Sequence, residues 1–162
     1  MRRLLIIVGL TLALGACDNH RQARANMDAA VAFMGKNAKA PGVMTLPSGV
    51  QYKIVATGPA DGPHPGASDE VKVNYEGKLL SGKVFDSSFE RGAPADFQLN
   101  GLIPAWVEAL QRMRPGDEWI LYVPPEMGYG DKDSGPIPPN SVLIFRIQLL
   151  GVLPHPGGTQ LG

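Results

Sequence analysis

Short runs in which apolar and polar residues alternate fill the second half of this chain, and they constrain its fold more than any other feature. Val71, Val73 and Tyr75 alternate with Lys72, Asn74 and Glu76. Trp119, Leu121 and Val123 repeat the spacing, and Leu143, Phe145, Ile147 and Leu149 oppose Arg146 and Gln148. Side chains in a strand point to opposite faces in turn, so each run buries one face only, as antiparallel sheets do. Val50 to Ala56, Lys83 to Phe85 after the Ser81-Gly82 turn, and Phe97 to Leu99 read as further strands. One helix is expected, Ile103 to Gln111, with Pro104 in its first turn and Ile103, Trp106, Val107 and Leu110 as its apolar stripe. The 20 Gly and 15 Pro are concentrated in Thr57–Ser68, in a Tyr129–Pro139 loop and in the tail. A small α+β domain over residues 46–152 follows, with a flexible tail over 153–162.

The N-terminus reads as an address. Arg2 and Arg3 precede an apolar run, Leu4 to Ala16, that is shorter than the ~20 residues of a membrane-spanning helix. A charged start, short apolar middle and small residues at the end describe a signal peptide, residues 1–16. Leu14-Gly15-Ala16-Cys17 resembles the bacterial lipobox, in which cleavage makes the cysteine residue one and its thiol is acylated. The alternative is a plain signal peptide with an incidental cysteine. With Cys17 lipidated, the protein would be anchored to a membrane of the bacterial cell envelope and face the periplasm, inner or outer membrane being undecided. Residues 17–45 then form a lipidated tether, polar from Asp18 to about Ala25, and a short helix. Asn26 caps that helix, with Met27, Ala30, Val31 and Met34 at its apolar positions.

Most catalytic chemistries lack support. Fifteen Lys+Arg balance fifteen Asp+Glu, so no field draws in nucleic acid. The single cysteine excludes an intrachain disulfide and a multi-thiolate metal site. His20, His64 and His155 fall in the tether, a Pro/Gly loop and the tail, and no G-x-S-x-G, H-E-x-x-H, P-loop or G-x-G-x-x-G is present.

What remains is a set of aromatic residues on short strands and loops. Their setting is Val71-Lys72-Val73-Asn74-Tyr75-Glu76-Gly77, Gly82-Lys83-Val84-Phe85-Asp86-Ser87-Ser88, Leu102-Ile103-Pro104-Ala105-Trp106, Gly128-Tyr129-Gly130 and Ile137-Pro138-Pro139-Asn140-Ser141. In that order they resemble the FKBP-type peptidyl-prolyl cis-trans isomerases, a likeness that extends over about 105 residues of the chain. Leu46-Pro47-Ser48-Gly49-Val50-Gln51-Tyr52 resembles the macrophage-infectivity-potentiator branch.

The resemblance implies a strongly bent antiparallel β-sheet wrapped around one short α-helix, here preceded by a short N-terminal helix. It implies isomerisation of X–Pro bonds in exported polypeptides without a cofactor or a metal. It also implies binding of the macrolide inhibitors of the family. Tyr75, Asp86 and Tyr129 take the catalytic positions. Phe85, Arg91, Phe97, Leu102, Ile103, Trp106, Ile137 and Phe145 take the substrate-binding ones. Trp106 would floor the pocket, Tyr75, Phe85 and Phe145 would wall the prolyl ring, and Asp86 would lie against Tyr75 and Arg91. A purely structural ion pair is the alternative for Asp86, and a binding module or holdase with little turnover is the alternative for the whole. Two departures stand out: Ala105 where glycine is usual, and Ala95 where some members place a pocket aromatic. Relatives of the branch dimerise through a long N-terminal helical region. With only residues 26–40 left for it, a monomer is expected.

Overall fold

Alternation dictates burial in the folded chain. In a computed structural model of the protein, which describes residues 13–153 and side chains from Asn19 onward, Val71, Val73, Tyr75 and Gly77 are buried on one face. So are Trp119, Leu121 and Val123, and Leu143, Phe145, Ile147 and Leu149. The strands are β1 (Val43–Thr45), β2 (Gln51–Ala56), β3 (Glu70–Leu79), β4 (Val84–Ser87), β5 (Ala95–Gln98), β6 (Glu118–Val123) and β7 (Leu143–Leu153). They make one seven-stranded sheet in the order β1-β2-β6-β7-β3-β4, with β5 also on β3. Every pairing is antiparallel. Register shifts between Lys72 and Val73, Gly77 and Lys78, and Ile54 and Ala56 bend the strands, as bulges do, and let the sheet curve.

The helices are α1 (Ala13–Asn37), α2 (Ser88–Arg91) and α3 (Pro104–Leu110). Helix α3 joins the sheet's core cluster with Ala105, Trp106, Ala109 and Leu110 buried. Its buried stripe is therefore shifted from the expected one: Ile103 and Val107 are only partly buried, and two alanines replace them at the tightest approach. Alanine at 105 is accommodated with its side chain fully enclosed.

The N-terminal segment differs from expectation. Residues 18–25 are helical, not a tether, and Asn26 lies in mid-helix instead of capping it. Helix formation is cooperative, so one 25-residue helix is favoured over a polar lead-in followed by a marginal three-turn one. The helix also gains a partner surface through Phe33 on Tyr122 of β6 (ring centroids 6.0 Å apart) and through Gln51, which accepts from Asn37 and donates to the Met34 carbonyl. The sheet begins at Val43, three residues before the expected domain boundary. Residues 1–12 of the expected signal peptide lie outside the described residues, as do the Cys17 side chain and residues 154–162 of the expected tail; Leu153 belongs to β7.

Candidate functional site

Helix α3 presents its indole to the concave side of the sheet, and the site is built around that ring. Trp106 is 4% exposed and meets Tyr75, Phe97 and Phe145 edge-to-face, at centroid distances of 5.2, 6.0 and 5.2 Å. Phe85 closes the far wall, nearly perpendicular to Phe145 at 5.7 Å. Each ring sits at an inward position of a strand or on α3, so alternation and helical spacing aim all of them at one point. Edge-to-face pairs hold such rings by about 0.5–1.5 kcal/mol each beyond the area they bury. The pocket is open on one side and has a volume of about 260 Å³, smaller than the roughly 300–1,000 Å³ of drug-sized sites.

The rings surround a space with one polar side. The Tyr75 hydroxyl donates to Asp86 Oδ2, and Arg91 Nη1 pairs with Asp86 Oδ1. Arg91 Nη2 reaches the Tyr75 oxygen at 3.0 Å, with its guanidinium 5.5 Å over the Tyr75 ring. Burial pushes the Tyr75 phenol up, and its hydrogen bond to Asp86 adds to this. Burial alone would raise the Asp86 carboxyl too. Hydrogen bonds from Tyr75 and Arg91 together outweigh it and hold the group below the usual carboxylate range. At neutral pH the trio is a neutral phenol, a carboxylate and a guanidinium.

The residues singled out in the sequence fall into two groups. Tyr75, Phe85, Asp86, Phe97, Leu102, Ile103, Trp106, Tyr129 and Phe145 line the pocket, with Tyr129 43% exposed at its rim. Arg91 and Ile137 do not line it. Arg91 lies on α2 behind Asp86, where it neutralises the carboxylate; Ile137 is packed into the core.

Three residues of the site escaped the sequence reading. Gly101 lines the pocket, and its neighbours carried no signal for it. Gly77 leaves room for the walls: a Cβ there would sit 2.6 Å from Phe85 and 2.7 Å from Phe145. Ser88 fills a gap on the β3 edge between β4 and β5. Its buried hydroxyl accepts from the Tyr75 N–H at 2.8 Å and lies 3.3 Å from the Tyr75 carbonyl. Both Gly77 and Ser88 stood inside motifs already quoted, but only the strand pairing reveals their tasks.

A bent sheet packed on one helix thus carries an indole-floored aromatic pocket with a tyrosine–carboxylate–guanidinium rim. Residues 62–150 match the FKBP-type peptidyl-prolyl cis-trans isomerase family, and the chain belongs to it. Residues 15–54 match the domain found amino-terminal to such isomerases. The chain is 48% identical over 128 residues to the peptidyl-prolyl cis-trans isomerase Mip of Coxiella burnetii, covering 78% of this chain and 55% of that one. It is 44% identical over 142 residues to the outer membrane protein MIP of Legionella longbeachae, covering 87% and 60%. The crystal structure of FkpA from Escherichia coli superposes with a TM-score of 0.82 at 40% identity, over 87% of this chain and 65% of that one. The chain thus spans between half and two thirds of the length of these relatives.

Proposed function

We infer that this chain is a peptidyl-prolyl cis–trans isomerase acting on proline-containing segments of exported proteins in the pocket between α3 and the sheet. The observation that carries the reading is the aromatic box itself: four rings around Trp106 enclose a prolyl-sized space whose polar groups sit at one rim. Rotation about X–Pro is slow because amide resonance sets a barrier of ~18–20 kcal/mol. Resonance is lost in the twisted amide, which is less dipolar than the planar one. A site that replaces water by rings therefore favours the twisted form over the planar ground state, and this differential binding is the catalysis. It calls for no proton transfer, in keeping with a Tyr75–Asp86–Arg91 trio whose protonation states are pinned.

Within this reading Tyr129 donates to a substrate carbonyl and orients the chain. Asp86, with both oxygens engaged by Tyr75 and Arg91, is held rigidly where it faces the amide carbonyl region. Phe85, Phe97, Leu102, Ile103, Trp106 and Phe145 hold the ring, and the same groove takes the macrolide inhibitors of the family. The protein is anchored by acyl chains on Cys17 and faces the periplasm of a bacterial envelope. The lipobox-like residues 14–17 support that placement, as does the name of the Legionella longbeachae relative, an outer membrane protein.

Protein purified from membranes tests both halves. Its mass is expected to correspond to a chain starting at an acylated Cys17. A protease-coupled assay on an X–Pro peptide is expected to show acceleration that falls in Tyr129→Phe and Asp86→Ala. Equal rates with and without micromolar enzyme would overturn the catalytic reading, and an unmodified Met1 the anchoring.

A further inference from the structure

Helix α1 meets the domain through Ala30 and Phe33 and through several polar contacts. Of its apolar side chains Ala30 is buried, whereas Met27 and Val31 are 39% and 68% exposed. A groove of about 230 Å³, lined in part by Gln22, Asn26, Leu79, Pro138 and Ser141, separates the helix from the loop that runs from Tyr129 to Val142. Two side-chain amides bridge the space. Asn26 Nδ2 donates to the Pro139 carbonyl at 2.7 Å, and Asn140 Nδ2 donates to the Ala23 carbonyl at 3.1 Å. Gln22 donates to Asn26 Oδ1 at 2.8 Å, which turns the Asn26 amide so that its N–H faces the loop.

The far side of this loop reaches the pocket. Asn140 has φ +57°, alone among the described non-glycine residues in having positive φ, a conformation asparagine tolerates better than most. In that conformation its N–H donates to the Gly130 carbonyl at 2.8 Å, and Gly130 N–H donates to Pro125 at 2.8 Å. Tyr129, at the pocket rim, precedes this doubly held glycine. A continuous path therefore runs from α1 through Pro139 and Asn140 to Gly130 and Tyr129.

We propose that Asn26 and Asn140 clamp this loop to helix α1 and thereby set the position of Tyr129 over the pocket, which makes them positioning residues for the isomerase reaction. The proposal rests on the function inferred above. The helix is then part of the substrate-binding apparatus as well as a connection to the N-terminus. Substrates that depend on the Tyr129 hydroxyl for orientation feel the clamp through binding, while the ring box that favours the twisted amide is untouched.

The full chain is compared with Asn26→Ala, Asn140→Gly and Asn37→Ala. Glycine keeps the positive φ of residue 140 and removes only its side chain; Asn37→Ala loosens α1 at the other end, on Gln51. KM for an X–Pro peptide is expected to rise about two- to ten-fold in Asn26→Ala and Asn140→Gly, the range one lost hydrogen bond allows, with kcat within about two-fold. Backbone amides of residues 129–141 are expected to exchange several-fold faster in those two variants. Asn37→Ala is expected to change neither reading. Unchanged KM or unchanged exchange in the first two variants, or an equal rise of KM in Asn37→Ala, overturns the clamp. If wild type shows no turnover, the isomerase reading falls, and loop exchange together with the affinity of the X–Pro peptide judges the clamp.

Discussion

Gly77 shows how closely the site depends on single atoms. It lies on β3 opposite Phe145 of β7 and one residue before the register shift against β4. The Phe85 and Phe145 rings pack over its bare Cα, and a methyl group would meet both at under 3 Å. Gly77→Ala is therefore expected to push the two walls apart, costing about 1–3 kcal/mol of stability as overpacking does, and to weaken the proposed binding of the family's macrolide inhibitors. Urea unfolding and inhibitor titration check both effects; an alanine variant with wild-type affinity would show that the walls give way without consequence. Ala95 and Ala105, the two departures from the family pattern, act more mildly. The first is a half-buried strand residue and the second is fully enclosed next to Trp106.

At the scale of elements, β3 organises the domain. One edge pairs along its length with β7, while the other is shared by β5 at residues 70–73 and β4 at residues 76–78. The backbone of Tyr75 falls in the gap between them, and Ser88, the first residue of α2, supplies the missing partner. That same turn carries Arg91 to Asp86, so the ladder repair and the polar rim are one construction. Ser88→Ala leaves a buried N–H unsatisfied and is expected to cost about 1–3 kcal/mol. The measurement is the midpoint of chemical unfolding. A loss of less than a few tenths of a kcal/mol would mean that another group takes over the bond. Asp86→Ala, by contrast, releases an exposed guanidinium but takes the acceptor from the buried Tyr75 hydroxyl, so it is expected to lower stability as well as the proposed activity.

For the whole molecule, the ion pairs set a direction of pH dependence. Hydrogen bonding to Arg146 and Gln148 holds the Glu118 carboxyl below its ordinary value, and Tyr75 and Arg91 do the same for Asp86 against the opposing effect of burial. A carboxyl whose folded value is depressed adds stability above its unfolded pKa and loses it as pH falls through the folded one. Stability is therefore expected to be level near neutrality and to decline below about pH 4. Urea midpoints measured across that range check it, and a protein that gains stability on acidification would contradict it. No histidine lines the pocket, so the rate of isomerisation is expected to vary little between about pH 6 and 9.

The sequence by itself determined which residues face inward, because a period of two leaves a strand no choice of face once half its residues are apolar. It also determined most of the inventory of the pocket, since seven of its ten lining residues stand in ordered motifs and Phe97 and Phe145 on expected strands. Only the tertiary structure decided what those residues do to one another. Arg91 lies against Asp86 as the resemblance implied, but on α2 behind the pocket lining, and Ile137 packs into the core, because both placements depend on where loops return and not on local pattern. Helix α1 was legible only in its second half, because its extent rests on cooperativity and on the pairing of Asn26 with Pro139 and of Asn37 with Gln51, contacts that exist only on folding. Alternation is a local property that each strand carries alone. Register, gap-filling and the clamp on the loop are long-range pairings, and they exist only once the sheet has closed.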